Sequence, residues 1–216
     1  KTLTSDEPDY SQGTHRHAGE KAAATTGPLS KALQHPVIRP GAPTGKKVAI
    51  VGGGPAGLSA AYFLARLGHE TVIYEKNDVA GGMTSRGIPG YRVDRNIVAE
   101  EIAAIESLGV KIITGCAVGR DVAMDDLRRD YDAVLLTIGA WRSRPLGIPG
   151  EDLPGVIRAV DYLDEVAASG TAKTGNRVVV IGGGNVAIDA ARTAVRLGAG
   201  SVKMFCVEDK FEMPAT

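Results

Sequence analysis

The chain has 216 residues, and its 25 Lys and Arg balance 25 Asp and Glu to a formal net charge of zero. That balance leaves no bulk electrostatic footprint for nucleic acid or an acidic membrane surface, and no apolar run approaches the ~20 residues of a membrane span. A hydrophobic content of 44% suits a globular protein with a real core, while two distant cysteines, Cys116 and Cys206, argue against a disulfide framework or a cysteine-ligated cluster.

Residues 1–45 read as a polar linker or extension. They are rich in Gly, Thr, Ala and Pro, lack an apolar period and close on HPVIRPGAPTGKK. His15 and His17 stand there as HRH, expected in a solvated loop and not at a metal. No secretory signal pattern is present, so the expected compartment is the cytoplasm. Both cysteines are expected as small buried apolar residues.

Folded character begins at Val48. VAIV is a short β-branched run, expected as a buried strand. GGGPAG follows, then LSAAYFLARLG, in which Leu58, Ala61, Tyr62 and Ala65 recur at helical spacing. Pro55 suits a first helical turn and Gly68 a helix exit. TVIYE is the next strand. Further on, the pattern predicts a helix over Asn96–Leu108, a strand over Val110–Ile113 and a strand YDAVLLTIG ending at Gly139. The Gly- and Pro-punctuated WRSRPLGIPGEDLPGV reads as a crossover, with a short helix over Asp161–Ala168 after it.

The first pattern then returns. VVVI at Val178–Ile181 precedes GGGNVA, IDAARTAVRLG and SVKMFCVE. Gly52, Gly54, Leu67 and Gly68 have counterparts in Gly182, Gly184, Leu197 and Gly198 at one offset of 130 (182−52, 198−68). Two like units at one spacing point to two dinucleotide-binding modules. The expected division is 46–145 for the first, 146–176 for the crossover and 177–216 for the second.

The first module carries Gly52-x-Gly54-x-x-Gly57 between a strand and a helix, with Pro55 and Ala56 inside the motif. The first glycine permits the tight turn, the second lets backbone approach a pyrophosphate, and the third packs helix on strand. The helix N-terminus then offers N–H groups and a positive dipole end. Glu75 lies 18 residues past Gly57 (75−57), near the ~20 expected for a carboxylate on a ribose hydroxyl. The second module carries Gly182-x-Gly184-x-x-Ala187, with Asn185 and Val186 inside it. Glu208 lies 21 residues past Ala187 (208−187). A 2′-phosphate needs cations here, yet from Cys206 to Glu212 the one base is Lys210, against Glu208, Asp209 and Glu212. The acids suit a ribose 2′-OH and repel a 2′-phosphate, which favours NAD. Asp189 and Arg192, on the second helix, are expected in packing or a helix-face ion pair.

In these motifs the chain resembles the small subunit of glutamate synthase and its relatives. These FAD-containing pyridine nucleotide oxidoreductases include the matching part of dihydropyrimidine dehydrogenase. The resemblance rests on KKVAIVGGGPAGLSAAYFLARLGHE, YEKNDVAGGM, GIPGYRV, YDAVLLTIGAWRSRPLGIPGED, GNRVVVIGGGNVAIDAARTAVRLGA and EMPAT, in order from Lys46 to Thr216. It implies FAD at the first module, with Gly52–Gly57 around the pyrophosphate and Glu75 on the adenosine ribose. Gly82 and Met83 approach the flavin part, Arg92 contacts FAD, Val118 makes a backbone contact to adenine, and Thr137, Gly139 and Ala140 lie against the flavin nucleotide. The second fingerprint, with the acids after it, is expected to hold NAD at Gly182, Gly184, Asn185, Val186 and Glu208.

Three features depart from the family pattern. The N-terminal segment lacks the cysteines that ligate iron–sulfur clusters in many relatives. Cys206-Val207-Glu208 stands where many have Tyr-Arg-Arg. Relatives continue past this point to complete the nucleotide module and return to the FAD module. The expected architecture is therefore α/β: a doubly wound Rossmann-like FAD module followed by the start of a second Rossmann-like NAD module, with an open sheet edge and exposed apolar surface. The expected function is a flavoprotein oxidoreductase subunit. It passes electrons between NAD(H) and, through FAD, an iron–sulfur protein or other redox partner in a hetero-oligomer. The flavin carries the redox chemistry and the protein positions the rings, so no catalytic acid–base pair and no metal ligands are assigned. The alternative is a truncated, non-catalytic flavin-binding or structural adaptor of a larger redox complex.

Overall fold

Strand β1 (Lys47–Val51) forms because five consecutive positions include three β-branched residues, and Val48–Val51 are all buried. In the computed structural model, which describes residues 39–207 with Asp209 and Ala215, β1 is the centre of the first module. The expectations for His15, His17 and Glu208 lie outside the described residues. Helix α1 (Pro55–Arg66) follows, with Pro55 in its first turn and Gly68, at φ 87°, closing its exit. Strand β2 (Glu70–Tyr74) pairs in parallel with β1, Ile50 beside Ile73, and both isoleucines are fully buried.

Helix α2 (Arg95–Glu106) starts on Asp94, whose carboxylate accepts from the Asn96 N–H at 2.8 Å. Strand β3 (Lys111–Ile113), helix α3 (Met124–Asp130) and strand β4 (Ala133–Leu136) complete the module. Among the described residues these strands make one parallel sheet in the order β3-β2-β1-β4. Right-handed crossovers put α1 and α2 on one face. Because β4 lies on the far side of β1, α3 falls on the other, where Leu127 packs on Ala49 and Val51. The winding reverses between β1 and β4. In open parallel sheets that is where a crevice opens at the carboxyl ends of the strands.

The second unit repeats the first. Helix α4 (Ala159–Ser169) leads to β5 (Arg177–Ile181), α5 (Asn185–Arg196) and β6 (Ser201–Phe205). Strand β5 and helix α5 sit 130 residues after β1 and α1 (177−47, 185−55). β6 sits 131 after β2 (201−70), because one more residue lies in the turn after the helix. β5 and β6 pair in parallel, and Tyr162 and Leu163 of α4 pack on Ala190 of α5. Val179 and Ile181 stay 59% and 61% exposed, as expected for an uncovered sheet face.

Several boundaries differ from the sequence reading. The helix expected over Asn96–Leu108 spans Arg95–Glu106, and that over Asp161–Ala168 spans Ala159–Ser169. β4 is four residues long, not the length of YDAVLLTIG, because the Thr137 hydroxyl turns the chain towards β1. Helix α3 and a wide turn at Met83–Gly87 were not expected. The chain also joins the module before Lys46: Gly41 N–H donates to Ala65 C=O and Thr44 N–H to Gly68 C=O. Cys116 and Cys206 are half-buried, not buried. Among the described residues no helix is long and apolar enough to cross a membrane.

Candidate functional site

The site is built on the carboxyl ends of β1 and β4. Gly52 sits at φ 109°, reserved in practice for glycine, and its N–H donates to Tyr74 C=O at 2.8 Å. Thr137 pins the turn: its hydroxyl donates to Gly52 C=O at 2.8 Å, and a Cβ at Gly52 would collide with the Thr137 carbonyl. A Cβ at Gly57 would fall on the Gly52 carbonyl, so the third glycine of the motif lets α1 seat on the strand end. The structure thus brings Gly52, Gly57 and Thr137 into contact.

Gly54, Pro55 and Ala56 open α1. Gly54 provides no side-chain cap, and the first turn carries no acid. Gly54 faces Gly82 so closely that a Cβ on Gly82 would lie 2.8 Å from Gly54 Cα. Gly82 itself takes φ 54° and ψ −126°, and Gly81 N–H donates to Gly53 C=O at 2.7 Å. The arrangement is a backbone cradle at a helix N-terminus, the donor set that diphosphates use. An FAD pyrophosphate fits it, since no side chain stands against the face of Gly54, whose one neighbour there is the Gly82 backbone.

Glu75 is 4% exposed. Its Oε2 accepts from Gly53 N–H at 2.7 Å and its Oε1 from Asn77 N–H at 2.9 Å. The carboxylate thus shapes the cradle, and the ribose contact expected of it would be a second role. Each oxygen has a second lone pair, so both roles are compatible. After β3 the chain stays alongside this strand end, with Cys116 N–H donating to Glu75 C=O at 2.9 Å. Val118, two residues on, bridges to Val122, and Asp121 closes that turn by accepting from Ala117 N–H at 2.8 Å. Arg120 beside it, with the Ala117 N–H, holds the Asp121 carboxyl down at about 2.

At the other end Gly82 leads into the wide turn Met83–Gly87, closed by Ile88 N–H on Met83 C=O at 2.7 Å. Arg95 clamps it, donating to the carbonyls of Thr84 and Ile88. Burial lowers the Arg95 pKa from its usual value. Arg86, on the turn, donates to Asp164 of α4 at 2.8 Å and to Asp78 at 2.7 Å. Its pKa is raised, first by the hydrogen bond to Asp164. Past β4, Gly139 takes φ 69° and leads to Ala140 and Trp141, whose ring lies 5.2 Å from the Lys76 ammonium.

The second module reproduces the turn. Gly182 N–H donates to Phe205 C=O at 2.8 Å, as Gly52 does to Tyr74, and Gly184 stands before α5 with no side-chain cap. Here the third position is Ala187, whose Cβ would meet one added at Gly182 at an ordinary 3.4 Å. Alanine fits because nothing corresponding to Gly52 C=O against Gly57 crowds it. A cleft of about 470 Å³ lies between the units, with Met83, Arg92 and Ala140 among its walls on one side and Asn185 and Val186 on the other. Its size is that of a small-molecule site. Three of the residues expected to approach a flavin, Met83, Arg92 and Ala140, and two of those expected to hold a nicotinamide nucleotide, Asn185 and Val186, line one cavity.

Asp189 and Arg92 also have partners that the sequence reading did not give. Asp189 does not pair along its own helix with Arg192. It accepts from Arg92 Nε and, at 3.2 Å, from the Tyr91 hydroxyl, both on the first module. Arg192 and Arg196 stack on the Tyr91 ring at 4.7 and 4.0 Å. No periodic signal in the sequence links these residues, which lie 97 apart (189−92).

Comparison with known proteins gives the same outline. The model of the pyridine nucleotide-disulphide oxidoreductase family matches residues 46–215. The NADP(+)-dependent formate dehydrogenase subunit beta of Moorella thermoacetica is 49% identical over 175 residues, 80% of this chain and 25% of that protein. The NADPH glutamate synthase small chain of Halomonas elongata is 40% identical over 183 residues, 80% of this chain and 39% of that protein. FprA of Mycobacterium tuberculosis, solved in complex with NADPH, is 33% identical with a TM-score of 0.59, over 70% of this chain and 36% of that one. The chain spans well under half the length of these relatives.

Proposed function

Since the chain belongs to the pyridine nucleotide-disulphide oxidoreductase family, we propose that the intact protein is a flavoprotein subunit that passes electrons between NAD(H) and a redox partner. The observation that carries this reading is the shared cleft, where Met83, Arg92 and Ala140 face Asn185 and Val186. The first module would hold FAD: Gly52–Gly57 and Gly82 at the diphosphate, Glu75 and Val118 at the adenosine, Thr137, Gly139 and Ala140 beside the flavin nucleotide. The second would hold the nicotinamide nucleotide at Gly182, Gly184, Asn185 and Val186, with Glu208 on its ribose. When bound, the flavin supplies hydride acceptance and onward single-electron transfer. The residues here would orient the two rings across the cleft.

Two relatives carry names of multi-subunit enzymes, a formate dehydrogenase and a glutamate synthase. That supports a partner subunit in a hetero-oligomer, and the family resemblance suggests an iron–sulfur protein for it. Both names specify NADP or NADPH. The acids and missing arginines after β6 support NADH instead. Anaerobic mixing of the purified full-length protein with NADH should bleach the flavin band. A protein that retains flavin yet is bleached by neither nucleotide would be an adaptor, and the reading would fall.

A further inference from the structure

Asp189 lies in the second turn of α5 with a side chain only 8% exposed. A carboxylate so buried is costly unless it is paired and hydrogen-bonded. Its partners come from the other module. Arg92 Nε and the Tyr91 hydroxyl converge on Oδ1, and the hydroxyl also reaches Asp189 C=O at 3.4 Å. Asp189, Arg192 and Arg196 stand at i, i+3 and i+7, one face of the helix, and together they grip the dipeptide Tyr91-Arg92. Arg92 and Asp189 both line the cleft. The contact that holds the front of α5 to the first module is therefore charged. Charged pairs fix geometry well but add little net adhesion, and removing one partner strands the other.

We propose that Asp189 is a positioning residue: by holding Tyr91-Arg92 against α5 it sets the distance across the cleft between Met83 and Ala140 on one wall and Asn185 and Val186 on the other. This rests on the reading of that cleft as the place where flavin and nicotinamide meet. Asp189→Asn keeps the shape and removes the charge, so the modules should part locally while each motif stays intact.

The test uses the full-length protein, with and without FAD, carrying spin-label amino acids in place of Ala103 on α2 and Lys203 on β6. The parent should give one narrow distance distribution. Asp189→Asn should broaden it or add a second distance, and Asp189→Glu should restore the single one. In rapid mixing, the limiting rate of flavin reduction should fall on the order of tenfold or more in the Asn variant, since small misplacements are costly to the reacting geometry. The nucleotide dissociation constant should move by less than about threefold, because its cradle is untouched. If the Asn variant fails to fold, Tyr91→Phe removes one donor to Oδ1 and leaves the ring stacked. It should show the same changes at smaller size. An unchanged distribution in the foldable variant, or a rate loss that Glu does not recover, overturns the proposal. A protein that binds no flavin overturns the functional reading instead, and the distances measured without FAD still judge Asp189.

Discussion

The Gly53 N–H donates to Glu75 Oε2 at 2.7 Å while Oε1 of the same buried carboxylate accepts from Asn77 N–H at 2.9 Å. One side chain therefore fixes both the glycine turn and the loop after β2. Glu75→Ala leaves two backbone donors without this acceptor, at roughly 1–3 kcal/mol for each one that stays buried. Glu75→Gln can satisfy only one, because its amide nitrogen would face the other donor. Both variants should melt earlier than the parent and lose flavin on gel filtration, with Ala worse than Gln. Unchanged melting and unchanged flavin content in the Ala variant would contradict this role.

The two glycine motifs differ at their third position for a steric reason, and the difference can be tested in both directions. At Gly57 an added Cβ would strike Gly52 C=O and lie 2.8 Å from the Thr137 hydroxyl. Gly57→Ala should therefore cost about 1–3 kcal/mol, the range for overpacking, and should lower flavin retention. At Ala187 the methyl group meets no such obstacle, and Ala187→Gly should cost only about 1 kcal/mol, from helix propensity. Chemical denaturation of the paired variants makes the comparison. Equal losses at the two positions would count against the steric account.

The local signals explain how much of this was legible beforehand. VAIV, GGGPAG and the spacing of Leu58, Ala61 and Ala65 act over a few residues, so β1, α1 and their repeat could be read directly. Helix α3 could not: MDDLRRD is seven residues long and only Leu127 is buried, which leaves no apolar period. The wide turn at Met83–Gly87 depends on Arg95, from α2, which donates to the carbonyl of Thr84 within it and of Ile88 just after it. The joining of Arg92 to Asp189 is a matter of tertiary docking, and single-sequence patterns carry no record of it. The motif glycines were found by resemblance and by spacing, whereas the second task of Glu75, holding Gly53, follows only from the packed geometry.

Asp121 gives a pH signature for the turn that presents Val118. The Arg120 guanidinium and the Ala117 N–H hold its carboxyl down from 3.8 to about 2. A depressed folded-state pKa means the ionised group stabilises the fold above the unfolded value. That contribution fades as pH falls from about 4 through about 2. Carbon-detected NMR titration should give a midpoint near that lower value, and Asp121→Asn should flatten the pH dependence of stability in the same window. Because the pair is solvent-facing, added salt should shrink the effect. A midpoint at the ordinary aspartate value would contradict the assignment.

The nucleotide preference is the sharpest point of tension. Two relatives of this chain are named for NADP or NADPH, yet β6 ends at Phe205 and the sequence continues Cys206-Val207-Glu208. Val207 is 99% exposed, so an arginine there could reach a phosphate without repacking anything. On the proposed reading, with valine and glutamate in place a 2′-phosphate would gain no cation and would meet a like charge. Two missing or repulsive charge contacts at a partly exposed position cost roughly 2–3 kcal/mol, on the order of a hundredfold in specificity. The full-length protein should therefore reduce its flavin far more efficiently with NADH than with NADPH. Val207→Arg with Glu208→Arg should bring the ratio of the two kcat/KM values towards NADPH by a comparable factor. Glu208→Gln alone should relieve the repulsion without supplying a cation, and so move the ratio only part of the way. A parent protein that prefers NADPH would sink the NADH preference. A parent that prefers NADH but ignores the arginine pair would keep the cofactor and remove Glu208 from the ribose, placing the discrimination elsewhere in the second module.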